Sequence, residues 1–401
     1  MSHSANMVPL GKLGKVISGS TPNTNIKAYW NGDIPWITPA DLTNHEGIYF
    51  KGKLRKITKA GYNSCSAIML PPSSIIFSSR APIGHCAVTG YALCTNQGFK
   101  SIVPNENLDS IYGFFALKFF TPQIIARGRG ATFLEVSKEI IEDFPIPLPP
   151  LPKQKRIANT LEQADHLLRL RRYALELSDN YLQSVFLEMF GDPVSNPKGW
   201  KESPLDEAVT KDKFAIVDGP FGSDLKADEY TNEGVRVIKV NNIKPNEFNF
   251  DDVCHVSLTK YQSIKRSTVR PGDVVMAKVG NTIGKTCVFP DSIQYAVLTA
   301  NVCKMTLNTQ IALPWFLSYQ MNFDGIQQRI RGLSGDTAKP MINIPRLREL
   351  KLILPDIPKQ QEYVDIVLRH KRLQVQQREA ERQAEHLFQT LLRRAFRGEL
   401  S

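Results

Sequence analysis

The sequence is short of the marks by which enzymes and secreted proteins usually declare themselves. Six cysteines, at positions 65, 86, 94, 254, 287 and 303, include no C-x-x-C pair. That excludes the tight spacing of zinc sites and disulfide frameworks, and it predicts free thiols. Seven histidines, at 3, 45, 85, 166, 255, 370 and 386, form no H-E-x-x-H pattern, so no metal centre is expected. There is no G-x-S-x-G elbow and no G-x-G-x-x-G, and Gly128-Arg129-Gly130 is too short to count. Gly280-Asn281-Thr282-Ile283-Gly284-Lys285-Thr286 looks like a phosphate loop but places three residues between its glycines, where the P-loop needs four. An Asn or Asp followed by Pro-Pro and an aromatic, the pattern with which amino-group DNA methyltransferases hold their target base, is also missing. No run approaches the roughly 20 apolar residues of a membrane span. The start, Met1 to Asn6, lacks the basic and apolar stretches of a signal peptide. The expectation is a cytoplasmic, non-membrane, non-catalytic protein.

What is present is ordinary globular chemistry with a basic bias. Of the 401 residues, 42% are hydrophobic and 22% charged, which predicts two or three domains with real cores. Fifty basic side chains against 39 acidic ones leave a net charge of +11. That balance favours a polyanionic partner without choosing among DNA, RNA and a membrane surface.

The chain is written twice. Leu148-Pro149-Pro150-Leu151-Pro152-Lys153-Gln154 returns as Leu354-Pro355-Asp356-Ile357-Pro358-Lys359-Gln360, and Phe190 returns as Phe396. Ile83-Gly84 returns as Ile283-Gly284, and Ile34-Pro35-Trp36-Ile37 with Asp41-Leu42 answers Val235-Arg236-Val237-Ile238 with Asn242-Ile243. Matches that keep their order across the chain mark a tandem duplication.

Each copy has two parts. Residues 153–190 hold no Gly or Pro and set Leu161, Leu168, Leu175, Leu182 and Met189 seven apart, the spacing of a coiled-coil seam. Residues 359–397 set Ile366, Leu373, Ala380 and Leu387 seven apart, with Ala384 and Leu391 on the adjoining stripe. Gly191-Asp192-Pro193 and Gly398 stop the two runs. Each helix would be ~57 Å long, and two such helices in a duplicated chain are expected to pair antiparallel. Residues 1–150 and 193–355 are instead dense in Gly, Pro, Asn and Thr. Their short apolar runs, Ser74-Ile75-Ile76-Phe77 and Asp273-Val274-Val275-Met276, read as strands. Short helices are predicted over 111–120 and 315–330.

This pattern resembles the DNA-specificity subunit of type I restriction-modification enzymes over nearly the whole chain. The carriers are the two Pro-rich junctions running into Pro-x-Gln helix starts and the central helix ending Phe190-Gly191-Asp192. Also similar are the openings Ile17-Ser18-Gly19-Ser20-Thr21-Pro22 and Val217-Asp218-Gly219-Pro220-Phe221-Gly222. The segments Ser79-Arg80-Ala81-Pro82-Ile83-Gly84 with Thr95-Asn96-Gln97-Gly98-Phe99, and Lys278 to Gly284 with Thr299-Ala300-Asn301-Val302, complete the likeness.

The resemblance implies an α+β fold with pseudo-twofold symmetry. Two β-rich target recognition domains, residues 1–150 and 193–355, would be joined by a central helix, 151–192, and a second helix, 356–401, in an antiparallel coiled coil. It implies double-stranded DNA as the ligand, each domain reading one half of a split asymmetric site and the helices acting as a ruler. Half-sites one helical turn apart lie ~34 Å from each other. It further implies two modification subunits, which carry S-adenosylmethionine and methylate a flipped-out adenine, and two restriction subunits driven by ATP with Mg²⁺. This chain would hold no cofactor or metal of its own. The competing reading is a stand-alone DNA-binding or architectural protein on the same scaffold.

Phosphates are contacted by Lys, Arg and hydroxyl or amide side chains, while base edges suit Arg or Lys to guanine and Asn or Gln to adenine. In the first domain the expected DNA contacts are Thr21, Asn23, Arg80, His85, Asn96, Gln97 and Lys100. In the second they are Lys239, Asn241, Asn242, Lys278, Asn281, Lys285 and Asn301. Arg80 and Lys278 head the two groups, because each precedes a Gly turn that would present its side chain. Trp30 and Trp36 are expected in the core.

Overall fold

The computed structural model describes residues 6–80, 82–129, 134–221, 224–334 and 341–400. Ala81 and Gly222 of the matched segments, His3 and Gly130 lie outside them. The chain folds into two compact units, Met1–Leu175 with Gln376–Ser401, and Glu176–Val375. These units cut across the segments expected from sequence, because each long helix gives part of its length to each unit.

In the first unit a five-stranded sheet has the order Gly14–Ser18, Lys100–Pro104, Ile75–Phe77, Cys86–Thr89, Tyr49–Phe50. A three-stranded sheet runs Arg55–Ile57, Trp30–Ile37, Cys94–Thr95. The predicted helix is longer than expected, Ser110–Ala126, and Asp109 caps it by accepting hydrogen bonds from the Ile111 and Tyr112 amides. The helix is apolar on nearly all sides, since it is wrapped by the sheet and the long helices: Tyr112, Phe114, Phe115, Leu117 and Ile124 are all buried. Trp36 is buried and meets Trp30 edge to face, as core residues do.

The second unit repeats the plan. Its four-stranded sheet is Ile216–Asp218, Val302–Met305, Val274–Ala277, Thr286–Val288. Its five-stranded sheet is Tyr230–Thr231, His255–Val256, Val235–Ile238, Ala296–Leu298, Thr268–Val269. The single helix expected over 315–330 is two, Pro314–Met321 and Asp324–Gly332. Corresponding strand pairs agree even in direction: Trp36 lies beside Cys94 in a parallel ladder, and Val237 lies beside Val297 in another.

The long helices are Leu151–Phe190 and Ile357–Phe396, forty residues each, or ~60 Å at 1.5 Å per residue. Within each unit their segments run antiparallel. In the first, Arg172 donates to Glu381 at 3.1 Å and also pairs with Glu385. In the second, Ser178 and His370 are 2.8 Å apart, and the Tyr363 hydroxyl donates to the Leu182 carbonyl at 3.1 Å. Leu161, Leu168 and Leu182 of the first helix are buried as expected. On the second helix the seven-residue seam is displaced: Leu373 and Leu387 are exposed, Ala384 of the adjoining stripe is buried as expected, and Tyr363, Val367, Phe388 and Leu392 are buried with it. The cause is that this helix packs on its globular part as well as on its partner, so its apolar face is wider than a two-helix seam. In the second unit Phe186 stacks on Phe316, while Phe186 and Phe190 meet Tyr363, and Phe190 meets Phe316, edge to face.

Burial pushes the thiols of Cys94 and Cys303 up, to about 11 and about 12, which disfavours the reactive thiolate. Among the described residues no three His, Cys, Asp or Glu side chains are placed to hold a metal ion, and no helix is long and apolar enough to cross a membrane.

Candidate nucleic-acid interface

The two copies build the same loop framework and decorate it differently. Gly19 donates its amide to the Phe99 carbonyl, and Gly219 donates to Val302. Asn96 donates to Ile37, and Thr299 to Ile238. A side chain at Gly19 would have its Cβ 1.9 Å from the Asn96 carbonyl oxygen, and one at Gly219 would sit 2.1 Å from the Thr299 carbonyl carbon. Only glycine lets the opening loop press against the second loop in either copy. The Gly turns match as well: Gly84 (φ +98°) donates to Ser78, and Gly284 (φ +86°) to Ala277.

These bonds fix how the two expected cations correspond. Ser79 donates to Gly98 where Lys278 donates to Asn301, so Lys278 stands in the place of Ser79, and Arg80 corresponds to Val279. Position in the strand then decides the fate of each cation. Arg80 is exposed, with its Nε 3.0 Å from Glu135 Oε1. Lys278 is only 3% exposed, and its Nζ lies 2.5 Å from Asp218 Oδ2. It is not presented on a bend, and its ammonium is used in the core.

In the first unit Glu135 gathers two expected residues, Arg80 and Lys100, whose Nζ is 3.6 Å away. The Arg80 guanidinium holds the Glu135 carboxyl below the ordinary carboxylate range. Lys100 is buried up to that carboxylate. Thr21 and Gln97 meet side chain to side chain. Asn96 spends its Oδ1 on the Gly98 amide at 2.9 Å, a local turn bond, and Asn23 likewise accepts from Asn25 at 3.0 Å on an exposed loop. His85 is half-buried, and its amide donates to Ser78 Oγ at 2.8 Å.

In the second unit Lys239, Asn241 and Asn301 line one cleft of about 360 Å³ with Pro220, Tyr230 and Ala300. Asp252, which sequence reasoning missed, organises its rim: the carboxylate accepts from Lys239 Nζ at 2.9 Å and from Asn241 Nδ2 at 3.2 Å. The pairing raises the Lys239 ammonium above its ordinary value and lowers the Asp252 carboxyl below its own. Asn242 departs from expectation. It is fully buried, accepts from the Lys239 amide at 2.9 Å and donates to the carbonyls of Asn249 and Asp251. Asn281, exposed, and Lys285, half-buried, sit on the Gly turn and do not line the cleft.

A family model described as the type I restriction modification DNA specificity domain matches residues 4–176 and again residues 197–384. This chain belongs to that family. The two specificity domains coincide with the two copies seen in the sequence. The chain is similar to the MjaIX specificity subunit of Methanocaldococcus jannaschii, 36% identical over 203 residues, a stretch that covers 50% of this chain and about half (47%) of that relative. It is similar to the EcoBI specificity subunit of Escherichia coli at 23% identity over 428 residues, covering 98% of this chain and 80% of that one. The fold matches the type I restriction-modification S subunit from M. genitalium with a TM-score of 0.59 at 15% identity, over 99% of this chain and 97% of that one. It matches equally, at 0.59 and 19% identity over the whole of both chains, a chain solved for the complex assembly and conformational transition of the type I R-M system.

Proposed function

We propose that this chain is the DNA-reading subunit of a type I restriction-modification complex, each specificity domain reading one half of a split asymmetric site. One observation carries the proposal. The two domains share a backbone framework at Gly19 and Gly219, and at the loops after Ile37 and Ile238, yet offer different polar groups upon it. The first offers Arg80 tied to Glu135 and the Thr21–Gln97 pair. The second offers Lys239, Asn241 and Asn301 around a cleft. A shared scaffold with unlike donors and acceptors suits two different base sequences.

In this reading the chain has no chemistry of its own. Double-stranded DNA is its ligand, and two modification subunits and two restriction subunits are its partners, bringing S-adenosylmethionine, ATP and Mg²⁺. The long helices set the gap between half-sites and dock the modification subunits. Exposed apolar side chains support docking: Leu170 and Tyr173, three apart, in the first unit, and separately Leu177 and Tyr181, four apart, in the second. Residues at either spacing share one side of a helix, as helix-in-groove partners require.

The test is co-expression with a type I modification subunit from the same genome, followed by mapping of methylated adenines in the host genome. The expected result is a two-part motif with one methyl-adenine on each strand. A methylated motif that is continuous, or a chain that forms no complex and binds DNA by itself, would overturn the reading.

A further inference from the structure

The second unit has another cleft, at the other end of its four-stranded sheet. The strand Ile216–Asp218 runs from Ala215 in this cleft to Pro220 in the one described above, and Val302–Met305 runs back from Asn301 to Thr306. At about 3.4 Å per residue the two strands that run between the clefts are ~10–14 Å long.

This second cleft has a volume of about 780 Å³. Lys265, Arg266, Arg270 and Phe214 border it and are all exposed, Phe214 by 41%. At its floor Lys304 is buried, its Nζ 3.3 Å from Asp273 Oδ2 and 2.9 Å from Thr306 Oγ1. Asp212 is the other acidic residue of the lining. The side chains of Lys265, Arg266 and Arg270 form no ion pair among the described residues.

The duplication shows that the scaffold does not need these residues. Ser257 caps its helix by accepting from Lys260, as Thr58 accepts from Gly61, and the left-handed Gly272 (φ +84°) answers Ser73 (φ +66°) at the same spacing from those caps. Counted from these landmarks, Lys265, Arg266 and Arg270 stand where the first copy has Ser66, Ala67 and Pro71. Lys304 and Phe214 likewise stand where it has Ser101 and Gly14. Three unpaired cations crowded on one rim repel each other, and an anion relieves that repulsion. An exposed phenyl ring beside them is what a strand of nucleic acid uses, since bases stack on aromatic faces while the backbone follows the cations.

We propose that this cleft binds a nucleic-acid strand through its phosphodiester groups, with a base against Phe214, at a site separate from the cleft that reads the half-site. The proposal rests on the DNA-reading role only in taking nucleic acid as the polyanion at hand.

The test uses the complete chain in its complex with the modification subunits and follows fluorescence anisotropy of labelled single-stranded oligothymidylate across a salt series. The variants are the double Arg266→Glu with Arg270→Glu and, separately, Phe214→Ala, with circular dichroism as the folding control and the milder Arg266→Gln with Arg270→Gln as a second charge variant. Charge reversal is expected to weaken binding at least tenfold. Two lost phosphate contacts should flatten the salt dependence by about 1.4 in slope. Phe214→Ala is expected to weaken binding by roughly fivefold or more, the loss of one stacked base. The methylated motif stays that of the parent. Unchanged affinity and slope in folded variants would overturn the proposal. So would a cleft that binds ATP in a variant-sensitive way while the oligonucleotide ignores the substitutions, which would make it a nucleotide site. Failure of the DNA-reading role is seen separately, in the parent complex, as a methylated motif that is not split.

Discussion

Gln154 and Gln360 make the same three hydrogen bonds at the same place in the two copies. Gln154 accepts from the Asp109 amide at 2.9 Å and donates to the carbonyls of Asn107 and Pro149, both at 2.9 Å. Gln360 accepts from the Leu313 amide at 2.9 Å and donates to Ile311 at 2.9 Å and Pro355 at 2.7 Å. Both side chains are buried. Each therefore ties three elements together at one point: the Pro-rich junction, the start of a long helix and the loop that enters the domain's own helix.

Replacing either glutamine with leucine should strand an amide and two carbonyls away from water. Each such orphan costs about 1–3 kcal/mol, partly recovered by relaxation. The expected loss is about 2–4 kcal/mol, confined to the unit that carries the change. Urea unfolding followed by a probe in each unit measures it, and equal loss in both units would contradict a local lock.

Lys278→Ala should destabilise the second unit because it leaves the half-buried Asp218 carboxylate without its cation, at a cost of about 1–3 kcal/mol once its partial exposure is allowed for. Lys278→Ala with Asp218→Ala should recover part of that loss. Base preference at the second half-site should survive in the double variant, since Lys278 is buried and Asp218 is only 18% exposed. A lost preference with retained stability would return Lys278 to the DNA surface.

Arg80→Ala should weaken recognition of the first half-site and leave preferences at the second unchanged, as motif sequencing would read. The partner carboxylate adds a pH signature. Glu135 has a lowered pKa in the fold, so its contribution is present above the ordinary carboxylate pKa and is lost as pH falls through the lower, folded value. Acidification through that window should release Arg80 and Lys100 together. An NMR titration of the Glu135 carboxyl in wild type and Arg80→Ala checks the sign: the pKa should rise in the variant.

Asp252→Asn should loosen the Lys239 and Asn241 side chains without disturbing Asn242, whose own bonds run to backbone groups. The expected outcome is a relaxed base preference at one or two positions of the second half-site, with stability nearly unchanged. A preference as sharp as the parent's would mean that this rim does not touch bases.

Deleting seven residues in register from both long helices should shorten the preferred gap between half-sites while each half keeps its own bases. Methylation mapping reads both quantities at once. An unchanged gap would remove the helices from the role of ruler.

Much of this architecture could be read along the chain because it depends on local, repeated chemistry. The Pro-rich junctions, the long stretches without Gly or Pro and the Gly turns occur twice in the same order, and each governs the backbone within a few residues of itself. The readings that failed concern which face a residue turns. Leu373 was given to a seam by spacing alone, yet the buried stripe passes through Val367 and Phe388, because a third layer packs on the same helix. Lys278 and Asn242 look like surface groups by type, and nothing adjacent announces that Asp218, sixty residues away along the chain, or the Asn249 and Asp251 carbonyls will claim them.

By itself, then, the sequence determined that the chain is duplicated, that each copy pairs a β-rich part with a long helix, and which glycines the loops require, since periodicity and backbone sterics act over short separations. Only the tertiary structure decided which polar side chains reach the surface. Burying a cation or an amide is tolerated where distant groups meet its hydrogen bonds, and those meetings arise from strand register. Register gave Arg80 to the surface and Lys278 to the core, gathered Lys239, Asn241 and Asn301 around one cleft, and placed Lys265, Arg266 and Arg270 around another.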